Sequence, residues 1–284
     1  MDSLQVALTA FLVFRTPVRI TNALRSGGRE GIVAEYQNLP EQDQVDIRVK
    51  ARELAAKGVD AMLWRDDDFP QSLVHETRPL MPILFYMGNK ELFYRDGVGM
   101  CGSRNVSMKG LEAADRCGVA ASSRDWTIVS GYAKGVDTAT HLAALRSGGN
   151  TVIVLAEGID FWRVKRDFAH DYDPDRALVV SQFGPTQTWQ AHAAMARNSV
   201  IFGLSKALVV IEAGERGGTL AAGEGALKLG RPVLVVDFAD ETPPGNVKLL
   251  EQGAHPIRSA GALKAALDWV ASAVPEADDQ VPLF

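Results

Sequence analysis

Two short runs, Val152-Ile153-Val154-Leu155 and Leu208-Val209-Val210-Ile211, are apolar at every position. A strand with one wet face would alternate apolar with polar, so such runs need cover on both sides. That is the situation of central parallel strands sandwiched between helices. Strands read at Gly97–Cys101, Thr127–Ser130, Thr151–Leu155, Leu178–Ser181, Ala207–Ile211 and Val233–Val236. Helices fit between most of them, at Ser107–Ala121, Val136–Leu145, Trp189–Phe202 and Leu220–Leu229, with one more at Ala260–Val270. This alternation predicts an α/β fold built on a doubly wound, mostly parallel sheet.

The first 60 residues have a different texture. Leu4, Ala7, Leu8 and Phe11 recur at helical spacing, and Gln42–Ala56 is a second helical stretch. Residues 1–60 therefore read as a small helical (SAM-like) domain or as a packing extension of the main domain over 61–273. Pro79 and Pro82 bracket the entry to Ile83–Gly88, which reads as an edge strand. Residues 274–284 read as a polar, acidic tail. The apolar run Val6–Phe14 is far shorter than a membrane span, and Asp2 stands where a signal peptide would be positive. No membrane role is expected.

Of 284 residues, 30 are Lys or Arg and 35 are Asp or Glu, a net charge of −5. No basic field covers the whole protein, so a nucleic acid would need a local basic patch. Two cysteines cannot build a disulfide framework, and neither belongs to a CxxC pair, so a reducing cytoplasm is expected. The five histidines show no HExxH spacing and no GxSxG elbow occurs; no metal, cofactor or covalent nucleophile is expected.

Ligands of open α/β sheets bind beyond the carboxyl ends of the strands, and three loops there carry suitable residues. In the first, Gly102, Ser103 and Arg104 read either as a phosphate-binding turn or as a plain capped βα turn, with Ser107 as the cap. The second, Ser130-Gly131-Tyr132-Ala133-Lys134-Gly135, offers glycines, a hydroxyl and a lysine at a helix start. It is neither a Walker A loop nor GxGxxG. Asp137 reads as a cap or a ribose partner, and His141 as a helix-interface residue. The third loop places Gly217, Gly218 and Thr219 at a helix start, a second anion cradle, with Glu224 beyond it. Arg197 and Asn198 would reach phosphate if their helix end faces the crevice, and Tyr132 and Phe183 are candidates for base stacking.

Taken in order, these motifs resemble the DNA-processing protein A family (DprA, also called Smf). The resemblance rests on Gly102-Ser103-Arg104, on Ser130-Gly131-Tyr132-Ala133-Lys134-Gly135-Val136-Asp137 with His141, and on Ala156-Glu157-Gly158-Ile159-Asp160. Arg197-Asn198, Glu212-Ala213 with Gly217-Gly218-Thr219, and Gly230-Arg231-Pro232 continue it, and the matches run from about residue 65 to 255. The resemblance implies an extended Rossmann-type core that binds single-stranded DNA without cutting it. It also implies a homodimer that loads a RecA-type recombinase during natural transformation or homologous recombination. Carried over, the DNA site comprises Gly102, Ser103, Arg104, Ser130, Gly131, Lys134, Gly135, Arg197, Asn198, Gly217, Gly218 and Thr219.

The chain departs from the family pattern at several places. Phe161-Trp162 stands for the usual Tyr-Pro, Ser181-Gln182-Phe183-Gly184 for Ser-Glu-Tyr-Pro, and Asp237-Phe238 for Pro-Gly. The sequence reads as a divergent member without the C-terminal winged-helix domain of many relatives. Gly217-Gly218-Thr219 with Glu224 also resembles, more faintly, the nucleoside-monophosphate phosphoribohydrolases. The alternatives are thus a Rossmann-type nucleotide sensor or an enzyme that cleaves an N-glycosidic bond.

Overall fold

A computed structural model describes residues 1–272; the expected acidic tail lies outside the described residues. Three helices open the chain: α1 (Ser3–Phe14), α2 (Pro17–Gln37), which is broken by a kink at Gly28, and α3 (Glu41–Ala56). Then come β1 (Val59–Leu63), the two-residue strands β2 (Val74–His75) and β3 (Arg78–Pro79), β4 (Ile83–Gly88) and β5 (Gly97–Cys101). The alternating part continues with α4 (Met108–Ser122), β6 (Thr127–Ser130), α5 (Val136–Arg146), β7 (Thr151–Val154) and β8 (Ala177–Ser181). Next are α6 (Ala191–Ala196), α7 (Asn198–Gly203), β9 (Ala207–Val210) and α8 (Gly218–Lys228). The described chain closes with β10 (Val233–Val236), α9 (Pro244–Glu251), β11 (His255–Ile257) and α10 (Ala260–Ser272).

Nine strands form one sheet in the order β1-β4-β8-β7-β6-β5-β9-β10-β11. All neighbours from β8 to β11 pair parallel, and β4 runs antiparallel to both β8 and β1. The chain builds outward from β5 to β8, then crosses back to place β9 on the other side of β5. The strand order reverses between β5 and β9, and a crevice opens there at the carboxyl ends.

Strand β9 shows why the apolar runs are continuous. Val209 packs with Met100, Leu234 and helices α4 and α10 on one face, while Leu208 and Val210 pack with Leu220 and Leu249 of α8 and α9 on the other. The N-terminal helices share a single core with the far side of the sheet, where Leu4, Ile20 and Leu54 join Met62, Phe85 and Val179. Local caps set their starts: the Asp2 carboxylate accepts from the Gln5 amide at 2.8 Å, and Thr16 precedes Pro17 at the first turn of α2. No helix among the described residues is long and apolar enough to cross a membrane.

Two expectations need correction. Strand β4 is not an edge: it lies between β1 and β8, and the edges are β1 and β11. Its prolines precede the strand and remove no ladder donor within it, so they placed no limit on a second neighbour. The single helix expected at Trp189–Phe202 is two short ones meeting at Arg197. Gln190 is extended (φ −143°, ψ 145°), which leaves Trp189 outside the helix.

Helix α9 carries a fully buried asparagine that fixes the crevice side of the sheet. Asn246 Nδ2 donates to the carbonyls of Ile211 (2.9 Å) and Val236 (2.8 Å), and Oδ1 accepts from the Ala213 amide at 2.8 Å. These partners stand at the carboxyl ends of β9 and β10. Asn246→Leu leaves buried backbone groups unpaired and is expected to cost about 2–4 kcal/mol. Urea unfolding checks this, with Asn246→Asp, which keeps the acceptor, expected to lose less near pH 4.

Candidate functional site

The loops after β5, β6 and β9 meet in the crevice and are bonded to each other. The Ser103 amide donates to the Glu212 carbonyl at 2.8 Å, and the Val136 amide donates to the Ser103 carbonyl at 3.3 Å. Gly135 has φ +79°, and a Cβ on it would lie 2.3 Å from the Ser103 carbonyl oxygen, so only glycine fits between these loops. The Glu212 carboxylate accepts from the Ser107 amide (3.1 Å) and from the Ser107 hydroxyl (2.6 Å). The same hydroxyl accepts from the Gly110 amide at 3.0 Å and caps α4.

Two hollows flank these loops. One, of about 480 Å³, is lined by Gly102, Ser103, Arg104, Gly131, Arg197, Asn198, Gly218 and Thr219, among others. The other, of about 1170 Å³, takes in Lys134 and Gly135 and extends over Tyr132, Glu157, Phe161, Trp162 and Lys165. Arg104, Trp189 and Arg197 line both. Arg104 and Trp189 are exposed, and the guanidinium carbon lies 5.9 Å from the indole ring centroid. Six basic side chains and three acidic ones line the larger hollow, a local basic excess on a protein of net charge −5.

Of the remaining sequence-predicted residues, Gly217 is the exposed N-terminal cap of α8, at φ +116°, beside Gly218. Ser130 is fully buried beneath the loops, where its hydroxyl donates to the Met100 carbonyl at 2.6 Å.

Arg197 is set into the floor. Its Nη1 donates to the Val154 carbonyl at 3.3 Å, and a Cβ on Gly131 would lie 1.8 Å from that nitrogen. Gly131 is therefore required by the guanidinium packed against it. Burial lowers the Arg197 pKa, opposed by the charge of Asp137. Asp137 itself is buried: burial raises its pKa, opposed by Arg197 and by the Ala133 amide, which donates to its carboxylate at 3.3 Å.

His141 is fully buried, with Nε2 2.6 Å from the Gly131 carbonyl and Nδ1 2.5 Å from the Thr151 hydroxyl. A carbonyl only accepts, so Nε2 carries the proton and Nδ1 accepts from Thr151. Burial holds this imidazole neutral, with its pKa lowered to about 4. His141 thus pins the second loop.

Other candidates lie elsewhere. Tyr132 is packed against Trp162 and Phe168 (centroids 4.7 and 5.1 Å away), with Lys165 Nζ 3.7 Å from its ring centroid. Its ring is already engaged within the protein. Phe183 lines neither hollow, and Glu224 faces Gln252, the C-cap of α9, whose amide donates to it at 3.4 Å. Among the described residues no cluster of three His, Cys, Asp or Glu side chains is placed to hold a metal ion. Sequence reasoning missed Trp189, Phe161 and Lys165 as cleft residues. Lys165 and Phe161 stand in irregular segments with no periodic signal, and Trp189 was absorbed into an expected helix.

His141 makes a pH dependence testable. Its folded pKa near 4 lies below the ordinary 6.5, so between those values the unfolded chain binds a proton that the folded chain does not. The stabilisation is complete above pH 6.5 and is lost as pH falls toward 4, by about 3 kcal/mol. His141→Gln keeps a donor for Gly131 without the titration. The stability gap between wild type and this variant should therefore narrow from pH 7.5 to pH 4.5 in parallel urea titrations.

Comparison with known proteins accords with this geometry. The model of the family described as DNA recombination-mediator protein A matches residues 60–268. The DNA processing protein DprA of Streptococcus pneumoniae is 33% identical over 207 residues, which cover 72% of this chain and 73% of that protein. That of Bacillus subtilis is 31% identical over 183 residues, or 63% and 61%. Protein Smf of Escherichia coli is 30% identical over 200 residues, or 70% of this chain and 52% of that protein. The match thus spans between half and three quarters of these relatives. The X-ray structure of DprA from Streptococcus pneumoniae superposes with TM-score 0.68 and 26% identity, covering 92% of each chain. A DprA structure from Helicobacter pylori, described for its single-stranded DNA binding mode, shares the fold with TM-score 0.64 at 20% identity, covering 74% of this chain and 96% of that one. With the family's model matching residues 60–268, this chain belongs to the DNA recombination-mediator protein A family, that of the DprA and Smf proteins.

Proposed function

We propose that this protein binds single-stranded DNA in the crevice between β5 and β9 and, as a homodimer in the cytoplasm, passes the strand to a RecA-type recombinase. The observation that carries the binding step is the exposed pair Arg104 and Trp189 on the ridge shared by both hollows. A guanidinium for a phosphate stands beside an indole face for a base, the combination that holds a strand with little sequence preference. Lys134 adds a second exposed cation, and the amides opening α8 have no side-chain cap. The binding mode named for the Helicobacter pylori relative supports the same ligand class. Recombinase loading, transformation or recombination, and dimer formation are carried over from the family.

Binding rather than hydrolysis fits the crevice. A phosphoribohydrolase would need Glu224 at its ligand, and that side chain lies against α9, outside both hollows.

Fluorescence anisotropy with labelled oligo-dT tests the proposal. Affinity should fall steeply between 50 and 200 mM salt, following release of counterions at about 0.7 per phosphate contact. Arg104→Glu and Lys134→Glu should each lose about tenfold or more, and Trp189→Ala about 5- to 100-fold, all with unchanged unfolding midpoints because these side chains are exposed. Wild-type protein that does not bind at 50 mM salt overturns the reading.

A further inference from the structure

One wall of the larger hollow is the segment Gly158–Arg163, which supplies Phe161, Trp162 and Arg163 to the lining. Between these residues and the strand that precedes them stands Asp160, whose side chain is 13% exposed. It lines neither hollow. Its carboxylate turns away, toward α3 of the N-terminal helices. Lys50 Nζ meets Oδ2, and Lys57 Nζ donates to Oδ1 at 2.7 Å. Lys50 also lies 3.5 Å from Glu53 on its own helix. Burial raises the Asp160 pKa, but the hydrogen bonds and charges of the two lysines outweigh it and hold the carboxyl below its ordinary value.

The segment is tied on its other sides as well. The amides of Gly158 and Asp160 donate to the carbonyls of Gln187 (2.8 Å) and Pro185 (3.2 Å), in the loop that leads to Trp189. Arg163 Nη1 donates to the Asp160 carbonyl at 2.8 Å, and Trp162 packs on Tyr132. A carboxylate held by two cations more than 100 residues away thus stands behind the two exposed aromatics that line the cleft, Phe161 directly and Trp189 through its supporting loop.

We propose that Asp160 is a positioning residue: through Lys50 and Lys57, helix α3 holds the cleft wall in place and so sets how long a bound strand stays. The N-terminal helices contribute to binding from behind the wall, without touching the ligand. The consequence for binding rests on the single-stranded DNA reading; the clamp itself does not.

The test uses the full chain with Asp160→Asn, the double change Lys50→Gln with Lys57→Gln, and the swap Asp160→Lys with Lys57→Asp. Two readouts are taken: hydrogen exchange of the amides at 158–163, and association and dissociation rates of labelled oligo-dT. The expected result for the first two variants is at least tenfold faster exchange confined to 158–163 and the adjoining 185–189. Dissociation of oligo-dT should be about five- to tenfold faster with little change in association, and the swap should recover part of both. Unchanged exchange at 158–163 in Asp160→Asn overturns the clamp, as does an increase spread evenly over the whole protein, which marks general destabilisation. Faster local exchange with unchanged dissociation overturns the positioning role. Wild-type protein that binds no oligo-dT overturns the DNA reading instead, and the exchange arm then decides the clamp alone.

Discussion

The carboxylate of Glu212 bonded to the start of α4 holds the crevice together. Strands β5 and β9 are parallel neighbours whose following segments diverge, and the strand order reverses between them. Left to themselves, the two loops would be free to separate. Glu212, just past β9, reaches the amide and hydroxyl of Ser107 after β5, and its carbonyl takes the Ser103 amide. The second loop is then laid on the first through Gly135 and Val136. This bond, the Ser103–Glu212 backbone bond and the packing of Gly135 on the first loop together give Arg104, Lys134 and Gly218 fixed relative positions.

The same bond decides which helix ends remain for a ligand. Backbone amides at a helix start attract anions, yet the start of α4 already holds the Glu212 carboxylate. The first turn of α5 carries its own acid, Asp137. Helix α8 has neither a side-chain cap nor an acidic residue in its first turn. Of these three helix starts, only that of α8, at Gly218 and Thr219, offers an incoming phosphate an unopposed amide set, in the hollow that Arg104 also lines. The internal carboxylates act as placeholders that steer an external anion to one side of the crevice.

The layered fold was legible because its signal is local. A run such as Leu208–Ile211 declares two-sided burial within four residues, and the glycine-bearing loops follow such runs directly. What was not legible depended on partners distant in sequence. Ile83–Gly88 has the same composition at an edge or in the interior; only the pairing with Val59–Leu63 makes it interior. The buried Asn246 sits on a short helix that opens with Pro243 and Pro244, where no element was expected. In the site, the clustering of the glycine loops could be expected from their place after strands. Two roles could not. Gly131 serves the Arg197 guanidinium 66 positions away, and Trp189 reaches the cleft only because Gln190 is extended rather than helical.

Charge alone would not distinguish a single strand from a duplex, since both present phosphates to Arg104 and Lys134. The exposed indole does. Trp189 stands beside both hollows, and stacking on it requires a base whose own face is uncovered. In a duplex that face is stacked and the base edge is paired, and unstacking costs a few kcal/mol. A single strand has little of this to lose and gains about 1–3 kcal/mol from the indole. With a net charge of −5, the protein outside the crevice offers a phosphate backbone little general attraction. On the proposed reading, phosphates gain most where the basic residues gather, and the aromatic at that place favours unpaired strands. Selectivity for single strands would then follow from having the cation and the aromatic side by side.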